Sequence, residues 1–263
     1  MKSKSLTLIL VLIISISGYS QNFEKEFDLL LSKKYETSDP GATALVAIDG
    51  KVIYQKAFGK ANLELGVDMS DNSVFEIGSI SKQFTAVSIL MLAEQGKLKL
   101  DDEITKYIKN YPTHGHKITI HHLLSHTSGI GSFTASDEWW NNRKKDYTKE
   151  EFINLFKKLP MLYAPGEKYL YSNTGYFLLG AIIEEISNKT YEEFIRENIF
   201  KPLEMNNTDY GSRSKIILKR ASGYDNVYDK GGEKFNENET VNAEPISFIH
   251  WHSAGAIAST VHD

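Results

Sequence analysis

The chain has 263 residues, 41% of them hydrophobic, which suits one globular domain with ample core and room for an insertion. Its 30 basic and 34 acidic side chains are interspersed and leave a net charge of −4, so there is no electrostatic footprint for nucleic acid. Cysteine is absent, which excludes disulfides, thiolate nucleophiles, cysteine-ligated zinc and lipid attached at a cysteine.

Residues 1–20 read as a signal peptide. Lys2 and Lys4 give the positive start, Leu6 to Ile16 form the apolar run, and Gly18 and Ser20 set small residues before a cut at Gln21. That run is too short for an ordinary membrane span, so export to the periplasm or outside is expected, with an uncleaved signal anchor as the alternative. A short amphipathic helix is predicted over 23–35, with Phe27, Leu30 and Leu31 on one face. Thr43 to Ile48, Asp49-Gly50 and Val52 to Phe58 then read as a β-hairpin, because Asp-Gly suits a type I′ turn.

Ser79-Ile80-Ser81-Lys82 comes next, between the strand-like Val74 to Gly78 and a strongly apolar helix from Phe84 to Ala93. A serine and a lysine three apart on a helix share a face. A hydroxyl is a poor nucleophile until a partner takes its proton, and a lysine held in a dry pocket can be that partner. The helix start also brings backbone N–H groups and the positive dipole end near a developing oxyanion. Chance is the competing explanation, since Ser212-Arg213-Ser214-Lys215 is a second S-x-x-K in a polar stretch with no strand before it. Context favours the first.

A helix-rich middle is expected from about Ser81 to Leu203. The Phe84 helix should be buried on nearly every side until Gly96 ends it, and Tyr176 to Ile186 should also be buried. Thr148…Glu151 and Thr190…Glu193 read as capping boxes. Residues 211–245 read as a polar surface excursion. Tyr171-Ser172-Asn173 lies directly before the second apolar helix. Its phenol can relay a proton and its amide can hold a substrate carbonyl or amide. Tyr224-Asp225-Asn226 is a decoy of the same form, so only pairing with Ser79 gives Tyr171 weight.

From about residue 40 onward the chain resembles the penicillin-recognising serine hydrolases, and most of all their class C branch of β-lactamases, D-alanyl-D-alanine peptidases and esterases. The resemblance rests on Pro40-Gly41, Phe75 to Ala86, Gly96 to Asp102, Ile118-Thr119-Ile120, Leu123 to Ile130, Pro165-Gly166, Tyr171-Ser172-Asn173, Gly175-Tyr176 and Ala254-Gly255…Ser259-Thr260. It implies an α/β (α+β) fold of the β-lactamase/DD-peptidase type: an antiparallel sheet flanked by helices, with an inserted helical region. It implies that residues 21–263 form a serine hydrolase domain without a cofactor, acting on a small-molecule or peptidoglycan-type substrate. Ser79 resembles the acylated nucleophile, Lys82 its proton acceptor, Tyr171 the tyrosine that shuttles the proton to the leaving group, and Asn173 the contact to the substrate amide.

Two departures stand beside the resemblance. Ser70-Asp71-Asn72 spells a family element, but it precedes Ser79 and reads as a turn. No K-T-G is found, and His252-Ser253-Ala254-Gly255 is not its histidine variant, so the domain is expected to be incomplete at its C-terminus, lacking closing strands and a final helix. Two rival functions remain open. His114, His116, His121, His122 and His126 crowd one stretch, and His122 and His126 would share a helix face, as a metallohydrolase would need. No carboxylate lies within that cluster, and surface or hydrogen-bonded histidines are the commoner outcome. A penicillin-binding sensor that acylates without turnover is the other rival. Phe133, Trp139, Trp140 and Trp251 could line a groove or pack, with packing favoured.

Overall fold

The structure is a computed structural model, and it describes residues 23–228 and 235–263. The signal peptide expected at 1–20 lies outside the described residues. Two compact units emerge. One takes the chain up to Ser73, Lys219–Ala243 and Thr260–His262; the other takes Val74–Leu218, Glu244–Ser259 and Asp263.

The first unit is built on the predicted hairpin. Ala42–Ile48 pairs antiparallel with Lys51–Phe58, with an irregularity between Val46 and Ala47. Asp49 and Gly50 both take positive φ, 49° and 74°, as a type I′ turn requires. A helix over 23–34 packs Phe27 on Tyr54, ring centroids 5.1 Å apart, and its Asp28 accepts from the Tyr54 hydroxyl at 2.8 Å. Leu30, expected on the packed face, is 67% exposed. Ser70-Asp71-Asn72 is a turn closed by its own hydroxyls: the Ser70 N–H donates to Ser73 Oγ, and Ser70 Oγ donates to Asn72 Oδ1.

The polar stretch 211–245 corrects the sequence reading. It carries two antiparallel strands, Tyr224–Tyr228 and Phe235–Asn242. Asp225, Asn226 and the polar run from Asn236 to Thr240 interrupt any apolar alternation, so the period-2 signal fails. The Tyr224 hydroxyl accepts from the Leu63 N–H and donates to Glu64, which gives the decoy tyrosine a structural task.

The second unit holds the larger core. The helix Asn173–Ser187 is buried from Thr174 to Ile183 and ends on Asn188 in the left-handed conformation. Phe133, Phe152 and Phe156 pack as a ring cluster, with Phe177 of that helix against the last two. Trp139 is buried while Trp140 is half-exposed beneath Arg143, so the aromatics of this stretch mostly pack. Both expected capping boxes form, at Thr148/Glu151 and Thr190/Glu193. A third forms at Thr119/His122, ahead of the helix Ile120–Leu124.

The helix Ser81–Glu94 differs from expectation. It buries Ser81, Lys82, Thr85 and Ser88 beside Ile89 and Leu92, and leaves Val87 and Leu90 about half exposed. Its buried hydroxyls are satisfied: Ser81 Oγ accepts from the Ile257 N–H, Thr85 Oγ1 donates to the Ser253 carbonyl, and Ser88 Oγ donates to the Phe84 carbonyl. The expected single sheet is smaller too. In this unit Ile257–Ser259 lies between Phe75–Glu76 and Asp209–Tyr210, all antiparallel.

Candidate active site

A short strand ends at Glu76, and Gly78 turns the chain with a φ of 53°, which an L side chain rarely adopts. Residues Gly78–Ile80 form a tight 3₁₀ turn that runs straight into the Ser81–Glu94 helix. Ser79 is therefore exposed at a helix entrance, while Lys82, one turn further on, is only 6% exposed. A reachable hydroxyl stands beside a sheltered amine.

The amine has three partners. Lys82 Nζ lies 3.1 Å from Ser79 Oγ, 2.8 Å from Asn173 Oδ1 and 2.7 Å from the Ala254 carbonyl. Both Asn173 Oδ1 and the carbonyl can only accept. A neutral amine that gives its two protons to them has its lone pair left facing Ser79 Oγ, where a base is needed. Burial pushes the Lys82 ammonium down to about 8, so the neutral form lies within reach of ordinary pH.

Tyr171 closes the other side of Ser79. Its hydroxyl donates to Ser79 Oγ at 2.7 Å, and its ring lies 4.8 Å from Lys82 Nζ. The ring of Tyr176 lies 5.5 Å from the same amine. The four residues singled out in the sequence thus stand together, contributed by the start of one helix and the loop and first turn of another.

Asn173 differs in detail from its sequence reading. Its side chain is already engaged, with Oδ1 on Lys82 and Nδ2 donating to Thr134 Oγ1 at 3.3 Å. The second Nδ2 hydrogen is the one left for a substrate carbonyl. Ser132 Oγ accepts the Asn173 backbone N–H at 3.2 Å and lies 2.8 Å from Thr134 Oγ1. Sequence reasoning attached no weight to Ser132, Thr134 or the Ala254 carbonyl. The two hydroxyls at i and i+2 before a helix cap were the available signal.

The rivals are placed as well. Ser212 Oγ caps its own turn, accepting from the Ser214 and Lys215 N–H groups, and Lys215 is ion-paired with Glu192 and Asp209. His114, His116 and His121 are exposed. His122 Nδ1 accepts from the Thr119 N–H, and His126 falls beyond the helix end with a φ of 57°, so the two do not share a helix face. Among the described residues no three His, Asp or Glu side chains are grouped to hold a metal ion.

The model of the Beta-lactamase family matches residues 27–263, nine-tenths of the chain and all four of these positions. The chain belongs to the Beta-lactamase family. Penicillin-binding protein 4* of Bacillus subtilis (strain 168) is 35% identical over 223 residues, 82% of this chain and 48% of that protein. The chain thus spans about half the length of that relative. The octameric penicillin-binding protein homologue from Pyrococcus abyssi superposes with a TM-score of 0.71 at 32% identity, covering 92% of this chain and 54% of that one. D-amino acid amidase from Ochrobactrum anthropi SV3, complexed with D-phenylalanine, gives a TM-score of 0.70 at 26% identity, covering 84% and 63%. The mixed α/β fold implied by the motifs is the Beta-lactamase family fold.

Proposed function

We propose that this protein is an exported serine hydrolase that works through an acyl-enzyme at Ser79, on a β-lactam, a D-Ala-D-Ala peptide or an ester. The observation that carries the reading is the set of bonds around Lys82, which aims a depressed amine at an exposed serine hydroxyl. Relatives named for penicillin binding and for amidase action support the same class of chemistry.

In this reading Ser79 Oγ bonds to the substrate carbonyl carbon while its proton passes to Lys82 Nζ. Backbone N–H groups at the helix entrance stabilise the oxyanion. The tetrahedral intermediate collapses, the bond to the leaving nitrogen or oxygen breaks, and the Tyr171 hydroxyl gives that atom a proton, which Lys82 replaces. Water then attacks the acyl carbon, its proton enters the same relay, and Oγ departs as a hydroxyl with release of the acid. Asn173, through its remaining Nδ2 hydrogen, holds a carbonyl of the substrate.

Mass spectrometry of the protein treated with a labelled penicillin or a fluorophosphonate tests the assignment, with one label on Ser79 expected. Labelling that persists in Ser79→Ala would exclude this serine. A stable penicillin adduct with no turnover would favour the sensor. Export rests on residues 1–20, and the N-terminus of protein recovered outside the cytoplasm is expected to be Gln21; retention of Met1 there would contradict cleavage.

A further inference from the structure

His126 brackets Tyr171. Its carbonyl accepts from the Leu170 N–H at 2.9 Å, and its ring nitrogen Nδ1 accepts from the Ser172 N–H at 3.1 Å. The residue between those two anchor points is Tyr171, whose ring lies against the imidazole with centroids 4.5 Å apart and planes tilted by 32°. Tyr176 packs on the imidazole at 5.0 Å and Tyr169 meets it edge-on at 5.9 Å. The Tyr176 hydroxyl is tied to the Leu124 carbonyl, two residues before His126. A φ of 57° at His126 turns carbonyl and ring toward the same loop, and asparagine is among the few other residues that accept that conformation readily.

The geometry points to His126 as the positioning residue of Tyr171: it fixes the loop on both sides of the phenol and holds the hydroxyl on Ser79. This inference rests on Tyr171 serving as the proton relay. Nδ1 can accept from Ser172 only while it carries no proton. The charged and titratable groups facing the imidazole are Lys82 and Tyr169, Tyr171 and Tyr176. Burial and the nearby Lys82 charge push the imidazolium down to about 4, so the ring is neutral, with its proton on Nε2, at neutral pH.

The test is the rate of Ser79 labelling by a fluorescent penicillin or a fluorophosphonate. It is measured in the parent, His126→Gly, His126→Asn, Tyr171→Phe and the His126→Gly/Tyr171→Phe pair, each checked for folding by thermal melting. A misplaced relay costs about tenfold to a hundredfold, so His126→Gly should lose that much. His126→Asn puts an acceptor where Nδ1 stood and should recover most of the loss. In the Tyr171→Phe background His126→Gly should cost little more, a non-additivity that general loosening of the loop would not give. Equal losses in both backgrounds, no loss, or an asparagine variant as slow as glycine would overturn the inference. Labelling that survives Ser79→Ala would instead overturn the choice of serine. ¹⁵N spectra of the His126 ring need no turnover: an unprotonated Nδ1 at pH 7 supports the contact, and a proton on Nδ1 overturns it.

Discussion

Gly180 and Ser253 meet with no room between them: a Cβ at 180 would stand 2.1 Å from Ser253 Oγ and 2.5 Å from its Cβ. The serine hydroxyl is thereby close enough to donate to the Tyr176 carbonyl at 2.7 Å. Ser253 and Ala254 in turn present the carbonyls that receive Thr85 and Lys82. A glycine in the middle of a helix thus sets the distance to the acceptor of the buried amine.

Gly180→Ala should therefore destabilise the protein by about 1–3 kcal/mol, the usual cost of overpacking, although alanine is the better helix former. It should also slow Ser79 acylation by moving the Ala254 carbonyl. Urea denaturation and labelling rates check the two effects. An unchanged midpoint would mean that the two segments part at no cost.

Acylation should rise with pH through about 8. Only the neutral amine can take the Ser79 proton, and burial has brought Lys82 down to that range. Asn173→Asp would place a carboxylate where Oδ1 lies 2.8 Å from Nζ, favouring the ammonium. Its profile should shift to higher pH. Lys82→Arg should lose about a hundredfold to ten-thousandfold, because guanidinium does not deprotonate. A flat rate between pH 6 and 9 would contradict the role of the amine.

Stability should fall as pH drops from about 6.5 to about 4. His126 and His252 are both held down to about 4, chiefly by burial, against an ordinary value near 6.5. Across that window the unfolded chain binds protons that the folded chain refuses, so acid favours unfolding. Carboxylates held low, such as Glu151 and Glu244, add their loss below about pH 4.5. Urea midpoints between pH 7 and 5 isolate the histidines, and His126→Asn should flatten the slope there.

Ser212→Ala and Lys215→Ala should leave labelling of Ser79 unchanged. Loss of Lys215 removes an ion pair with Glu192 and Asp209 at a partly exposed site, which is worth little. A fall in labelling in either variant would give the second S-x-x-K a part that its geometry denies.

The sequence was most informative where chemistry is local. Ser79 and Lys82 are one turn apart, so spacing alone put them on one face, and the strand before them selected this pair over Ser212 and Lys215. Tyr171 and Asn173 were legible as a phenol and an amide just before an apolar helix, but they gained weight only from pairing with Ser79 and from the family motifs, since nothing local brings residue 171 to residue 79. Three features of the site escaped. The Ala254 carbonyl has no side-chain identity to read. Ser132 and Thr134 act on Asn173 from about forty residues away. His126 sat in a histidine-rich stretch that raised metal only as a disfavoured rival, and nothing local showed its two bonds around Tyr171. The strands Tyr224–Tyr228 and Phe235–Asn242 escaped because so polar a sequence carries no hydrophobic period.

The Asn173 amide has two ends, and only one of them suits Lys82. With Nδ2 secured by Thr134, the oxygen faces the amine. Turned over, the amide would set a donor against a donor, and the lysine's lone pair would be drawn from the serine toward the amide hydrogen. With its oxygen on Lys82, the Asn173 amide leaves the lysine's lone pair to the serine, so a side chain that never takes the proton still bears on where the proton goes.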